Sequence, residues 1–469
     1  MSLTRRVATN TFLNVGGKLA AVGLSIVTVG ILTRYLGQAG FGNYTTVMAF
    51  LQFFGIVVDF GLATAVVQLI SSRPHQTDRL FANAFSFRLV TAVVFFALAP
   101  MVMLLLPYSA ELKTSAFIAT WALCLVSLNQ VLMGIFQREL KMFWPVVAEI
   151  IGRAIFLVGM IVVVTGHGTL VAVMAAVTIG NLVQFILTYW AARRLTILRL
   201  AFDWRTWQEL FFASWPIGLS IIFNLVYFKA DTVILSLYQS QAVVGIYGAP
   251  YKMLEALSAL PYLFMGLILP LLSASWAANN REKFRQQLQR SWDVLAVVTW
   301  PLVIGGIIVA TPLMVLIAGP EFQPSGAVLQ ILLIATAAIY ASVIFTHAIV
   351  ALERQRQMLP AFGGVAAVAL AAYFWLIPQY SYLAAAWITV GTEVAIGLLA
   401  WLVVRRALGR HMLAWRVTVR AAAASAVMAL ALIVLQLVGA PVVITIFVGP
   451  VIYGLAAYIF GAIDREVIK

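Results

Sequence analysis

The sequence predicts an all-α integral membrane protein of 14 transmembrane helices, and three observations carry that expectation. Hydrophobic residues make up 63% of the 469-residue chain and charged residues 10%, with a mean hydropathy of +1.01. That is more apolar surface than one water-soluble core can bury, so lipid has to serve as the solvent. The apolar residues fall into fourteen separate stretches, and the cations avoid one side of them. Of the 30 Lys and Arg, only Arg34 and Lys113 fall in loops on one side, five lie inside the stretches, and all the others fall on the opposite side. The positive-inside rule therefore places both termini and the even-numbered loops in the cytoplasm.

The stretches run over 11–33, 43–69, 81–106, 114–136, 145–165 and 169–192, then 211–236, 246–272, 291–317, 326–350, 359–377 and 382–404, and finally 421–438 and 441–461. Each approaches the ~20 apolar residues that a ~30 Å hydrocarbon layer demands. Arg5 and Arg6 precede the first, which is too long for a signal-peptide core and lacks a small-residue cleavage site, so it reads as a retained helix. The connections 166–168 and 378–381 leave no room for an outer domain, and no ten-residue alternation recurs to suggest a β-barrel. Segment 193–210 mixes Arg with Leu, Phe and Trp, and reads as an amphipathic linker in the cytoplasmic interface, with a solvated loop as the alternative. Segment 279–290 reads as a short, separate cytoplasmic helix. Cys124 is the single cysteine, which excludes a disulfide framework and a cysteine-based metal site. The formal charge of +14 sits in short loops, where anionic lipid headgroups explain it better than nucleic acid does.

An internal repeat is visible where Tyr35–Tyr44, YLGQAGFGNY, is laid on Tyr238–Tyr247, YQSQAVVGIY, at an offset of 203 residues. Tyr, Gln, Ala, Gly and Tyr agree, and both copies occupy the first outer loop of a six-span unit. Units with an even number of spans begin on the same side, so the two are parallel repeats about an axis along the membrane normal. The expected lobes are 1–195 and 211–404, joined by the linker 196–210 and followed by 405–469 with the last two spans.

Two six-helix bundles, a first outer loop reading RYLGQAGFGNY and a fourth span ending in FQRELKMF resemble the polysaccharide transporter branch of the multidrug/oligosaccharidyl-lipid/polysaccharide exporter superfamily, its Wzx-type flippases in particular. The resemblance covers the whole chain. It implies a MATE-like fold in the bacterial cytoplasmic (inner) membrane and no enzymatic chemistry. It also implies transfer of undecaprenyl-pyrophosphate-linked sugar units to the outer leaflet, with polymerase and export proteins as partners. The last two spans, uncharged between Ala421 and Ile463, would offer the polyprenyl tail an apolar groove.

The five cations inside the stretches are Lys18, Arg88, Arg153, Lys229 and Lys252. Each costs about 2.5 to 3.5 kcal/mol at a helix centre, so five unpaired ones would cost roughly 12 to 17 kcal/mol. They must face a wet cavity or a carboxylate. In the first reading, Lys18, Arg88, Arg153 and Lys252 line a cavity and hold a pyrophosphate, Arg through paired hydrogen bonds and Lys as a point charge. In the second, Glu149 with Arg153 and Lys252 with Glu255 share a helix face and neutralise each other. Lys229 lies near enough to the outer interface to snorkel. The acids Asp59, Asp231, Glu255 and Glu393 also fall inside stretches, where each either couples transport to H⁺ or Na⁺ or is a paired structural group.

Moving two negative charges outward gains about 4.6 kcal/mol per 100 mV, so no ATP is required. Gly16-Gly17-Lys18-Leu19 does not complete a phosphate-binding loop, because Leu19 replaces Ser/Thr and Phe12 the upstream Gly. A drug or cation antiporter would call for a cavity of acids and aromatics rather than cations. A membrane glycosyltransferase or polymerase would need surface acids and a substantial outer loop, and there is no Asp-x-Asp. A purely structural scaffold would not explain interior charge, and the four His lack metal-ligand spacing.

Overall fold

The computed structural model describes residues 3–62, 65–66, 69–70, 76–139, 141–196, 199–409 and 413–463; side chains at 3–15, 18–19, 56–57, 138, 216–217, 220–221 and 224–228 are outside that description. Among the described residues every long element is a helix. In chain order they are α1 (Leu3–Asp59), α2 (Thr77–Leu105), α3 (Ala110–Arg138), α4 (Phe143–Thr165), α5 (Leu170–Ala192) and α6 (Trp204–Tyr238). There follow α7 (Gln241–Ala277), α8 (Arg281–Ala318), α9 (Ser325–Ala351), α10 (Leu359–Leu408), α11 (Arg416–Leu437) and α12 (Val442–Ile459). Eleven helical stretches among the described residues are long and apolar enough to cross a membrane. The chain is an all-helical, multi-pass membrane protein.

Two of the expected loops are reduced to single residues. Helix α1 is interrupted only at Gly37 (φ 63°, ψ −174°), and α10 only at Ser381 (φ 57°, ψ −139°). Both conformations lie in a region that glycine alone enters readily. Breaking the helix at a single residue leaves few backbone groups without a helical partner, which favours the arrangement in lipid.

Two expectations are corrected. Segment 279–290 is not a separate helix: Asn280 caps α8 by accepting from Lys283 N at 2.9 Å, and the helix then runs without interruption from Arg281 to Ala318. No Gly or Pro stands between Arg281 and Trp300 to stop it. The second stretch, 43–69, is not one continuous helix: α1 ends at Asp59, and Phe60 (φ 41°) and Gly61 (φ 74°) are left-handed before helical bonding resumes with Ala65 N donating to Gly61 O at 3.0 Å.

The chain divides into two compact units, Met1–Gly245 and Ile246–Lys469. In the first, a core of Leu62, Leu80, Phe81, Leu132, Phe136 and Leu210 joins the end of the second stretch to α2, α3 and the start of α6. The connection into α6 is tied to α2 by named bonds. Ala201 N donates to Ser86 Oγ (2.9 Å), Asp203 N to Asn83 Oδ1 (2.8 Å), and Arg79 pairs with the Asp203 carboxylate, which also caps α6. Arg79, with Thr206 and Arg205 N, holds the Asp203 carboxyl down at about 2. The tied segment exposes Leu200, Phe202 and Trp204 beside Arg199 and Arg205, an amphipathic composition suited to a membrane interface.

In the second unit α11 and α12 pack against α8 through Met428, Leu432, Tyr453 and Ala457. Tyr453 donates to Val297 O (2.6 Å) and Trp292 Nε1 to Thr418 Oγ1 (2.8 Å). Leu430, Val434, Phe447, Val451 and Leu455 leave the opposite face apolar and exposed.

Candidate functional site

The break in the second stretch explains Arg88. A left-handed pair at Phe60 and Gly61 deprives the Val58 carbonyl of its helical donor, at a depth where water cannot replace it. Arg88 on α2 supplies that donor: Nη1 bonds Val58 O at 2.7 Å, and Nη2 pairs with Asp59 Oδ1. Gly218 of α6 lies so near that a Cβ there would come 2.7 Å from Phe60 O, and the Phe60 and Phe211 rings stack at 5.6 Å. The Arg88 side chain is 0% exposed and its partner Asp59 20%. Arg88 Nε has no hydrogen-bond partner among the described residues. A guanidinium so enclosed caps a broken helix and presents no charge to a solute in this conformation.

Arg153 is placed differently. On α4 its Nε and Nη2 donate to Glu149 Oε1 at 3.2 and 2.8 Å, one helical turn away, and Nη1 donates to Ser25 Oγ on α1. The pair stays 40% and 28% exposed. In the second unit Lys252 Nζ on α7 donates to Glu255 Oε2 at 2.8 Å, with the two side chains 25% and 29% exposed. The side chain of Lys18 lies outside the described residues. Asp231 on α6 is fully buried and accepts from its neighbour Thr232, through N at 2.5 Å and Oγ1 at 3.1 Å, while Lys229 is half-buried.

Glu393, in the second half of α10, is only 4% exposed, and no hydrogen bond or ion pair to it occurs among the described residues. Tyr262 of α7 lies within electrostatic reach of it, and the Tyr262 ring is 6.1 Å from that of His347 on α9, whose Nδ1 is 2.8 Å from Val343 O. A proton or a small cation is all that so enclosed a carboxylate can exchange.

The i,i+4 and i,i+3 pairs were expected from spacing. The Arg88–Asp59 pair was not, since the two residues come from different helices; the Asp-Phe-Gly sequence inside an apolar stretch was the available signal of a break. Ser25, Tyr262 and His347 carried no sequence signal.

Membrane-length helices that carry the pairs Arg88–Asp59, Arg153–Glu149 and Lys252–Glu255 define a polytopic membrane protein. The chain belongs to the polysaccharide biosynthesis protein family, whose match covers residues 7–276, more than half its length. It is similar to the "Putative O-antigen transporter" of Shigella flexneri, 23% identical over 342 residues, 69% of this chain and 80% of that protein. It is also similar to the "Succinoglycan biosynthesis transport protein ExoT" of Rhizobium meliloti (strain 1021), 24% identical over 339 residues, 70% of this chain and 66% of that one. In fold it resembles the lipid II flippase MurJ in an inward closed conformation, with a TM-score of 0.77 at 15% identity, covering 98% of this chain and 100% of that one. The eukaryotic MATE transporter AtDTX14 follows at 0.64 and 13% identity, over 85% and 95%. The likeness read from the loop motif and the repeat, to the polysaccharide transporter branch of the exporter superfamily, is borne out: the chain is a membrane transporter of polysaccharide biosynthesis.

Proposed function

We propose that the chain is a flippase that moves undecaprenyl-pyrophosphate-linked oligosaccharide units from the cytoplasmic to the outer leaflet of the bacterial inner membrane by alternating access. The observation that carries this reading is the state of Arg153 and Lys252: each is paired, within an apolar stretch, with a carboxylate a helical turn away, and each stays partly exposed. An adjacent acid lowers the cost of inserting the cation yet leaves it exchangeable, since a phosphate oxygen can replace Glu149 or Glu255 as the acceptor. Arg153 can bind a phosphate through two parallel hydrogen bonds, and Lys252 through its point charge. Arg88, enclosed by Val58 and Asp59, then serves the first lobe as a structural cap and reaches a headgroup only if the break at Phe60–Gly61 rearranges. Lys18 completes the cationic set.

Counting the halves of α1 and α10 on either side of Gly37 and Ser381 separately, and adding α6, brings the crossings to fourteen with both termini cytoplasmic. The lobes are then 1–195 and 211–404, joined by the interfacial linker 196–210, with 405–469 beside them. The exposed apolar face of α11 and α12 takes the polyprenyl tail. Glu393 couples the cycle to H⁺ or Na⁺, beside Tyr262 and His347, and polymerase and export proteins receive the product.

The test is transport of a fluorescent lipid-linked sugar in proteoliposomes. Wild type should expose the lipid to an external quencher faster than empty vesicles do, and Arg153→Ala or Lys252→Ala should slow it about tenfold, one phosphate contact of about 1.4 kcal/mol. Unimpaired flipping by both folded variants would remove the site. Expulsion of a cationic dye without any flipping would instead favour a drug antiporter.

A further inference from the structure

We infer that the two copies of the repeated Tyr-x-x-Gln-Ala-x-x-Gly-x-Tyr motif form a seal of glycine against carbonyl where α1 turns at Gly37 and α7 begins, and that this seal parts during transport. The inference rests on the alternating-access reading above. The repeat aligns Gln38 with Gln241 and Gly42 with Gly245. In the structure these four residues, all in the first unit, meet one another reciprocally. A Cβ at Gly42 would stand 1.7 Å from Gln241 O and 3.0 Å from Gly245 N; a Cβ at Gly245 would stand 2.0 Å from Gln38 O and 3.1 Å from Gly42 N. A contact in which residue i of one copy meets j of the other, and j meets i, marks a local two-fold axis. The duplication is therefore a contact as well as a sequence pattern.

Nothing but glycine fits at either position, because the obstacle is backbone and not the end of a flexible side chain. The surroundings are dry: Phe41, Thr46, Val47 and Val244 are fully buried. Thr46 Oγ1 donates across the junction to Gln241 Oε1 at 2.8 Å. Close backbone contact of this kind holds two helix ends together without an ion pair that would have to be broken and desolvated in every cycle. Both copies lie at the helix ends remote from the arginine-rich loops, where a released headgroup would leave.

Two experiments decide it, both in a Cys124→Ser background. In the first, Thr46→Cys is probed from outside with a membrane-impermeant maleimide. Labelling should be slow with both glycines present and rise about tenfold when Gly42→Ala or Gly245→Ala props the junction apart, a shift of about 1.4 kcal/mol. Unchanged labelling in a monodisperse, folded variant would overturn the seal. In the second, Thr46→Cys and Gln241→Cys are joined as a disulfide, with both glycines intact and no demand on refolding. The cross-linked protein should lose lipid flipping and recover it on reduction, whereas equal flipping before and after reduction would overturn the seal and leave the flippase reading standing. A reduced protein that never flips lipid would fail the flippase reading, and the labelling experiment would still judge the seal.

Discussion

Replacing Arg88 by Ala removes two interactions that its full burial makes costly to lose. The Asp59 carboxylate would be left without its counter-ion, and the Val58 carbonyl would lose its donor at a helix break in the apolar layer. Removing one partner of a buried ion pair costs about 3 to 5 kcal/mol, and an unsatisfied buried acceptor about 1 to 3. The pair is not wholly enclosed, since Asp59 remains one-fifth exposed, and about 3 to 4 kcal/mol in all is the expected loss. The companion variant Asp59→Ala/Arg88→Ala no longer strands a charge and should recover about 2 kcal/mol, a coupling within the range seen for residues in contact. Equilibrium unfolding in mixed micelles, followed by tryptophan fluorescence for wild type, both single variants and the double, completes the cycle. A coupling below about 0.5 kcal/mol, or a single variant as stable as wild type, would refute the capping argument.

Gly37 and Ser381 occupy nearly the same backbone region, so opposite substitutions should act in opposite directions: Gly37→Ala should destabilise by about 1 to 3 kcal/mol and Ser381→Gly should stabilise by about 1, both read from unfolding midpoints. The Asp203 carboxyl is held at about 2, below its ordinary 3.8, so the tie between Arg79 and the start of α6 is fully present above pH 4 and is lost as pH falls through 2. Limited acid proteolysis of the 199–205 segment should rise over that window, and Asp203→Asn should be cut readily at neutral pH as well. Glu393→Gln should leave the protein folded but make transport indifferent to an imposed H⁺ or Na⁺ gradient; a gradient response equal to wild type would exclude Glu393 from coupling.

How far the fold could be read in advance depended on the kind of signal. Hydropathy marked the apolar stretches because a ~30 Å layer imposes a length on every crossing. The spacing of Glu149 and Arg153, and of Lys252 and Glu255, foretold their pairing because the helix repeat places such residues on one face. Arg88 and Asp59 were each singled out, but for separate roles, because nothing local indicates which helices become neighbours. The break at Phe60–Gly61 was missed because its one local signal, Asp59-Phe60-Gly61, is a short interruption in a run that is otherwise apolar on both sides. The 279–290 segment was cut from α8 by its charge, although helix formation in water and in lipid obeys the same backbone geometry. Tyr262 comes within reach of Glu393, and His347 within reach of Tyr262, only through packing in the second unit, which one chain of letters does not encode locally.

If cations within the apolar stretches recognise a phosphorylated lipid head, transport must depend on that head, so the decisive experiment varies the head and leaves the protein alone. Proteoliposomes loaded with two fluorescent polyprenyl lipids carrying the same sugar, one through pyrophosphate and one through an uncharged ether link, report both rates in a single preparation. The pyrophosphate lipid should flip in a protein-dependent way, and the ether lipid no faster than in empty vesicles. Equal protein-dependent rates for the two would contradict recognition of the head.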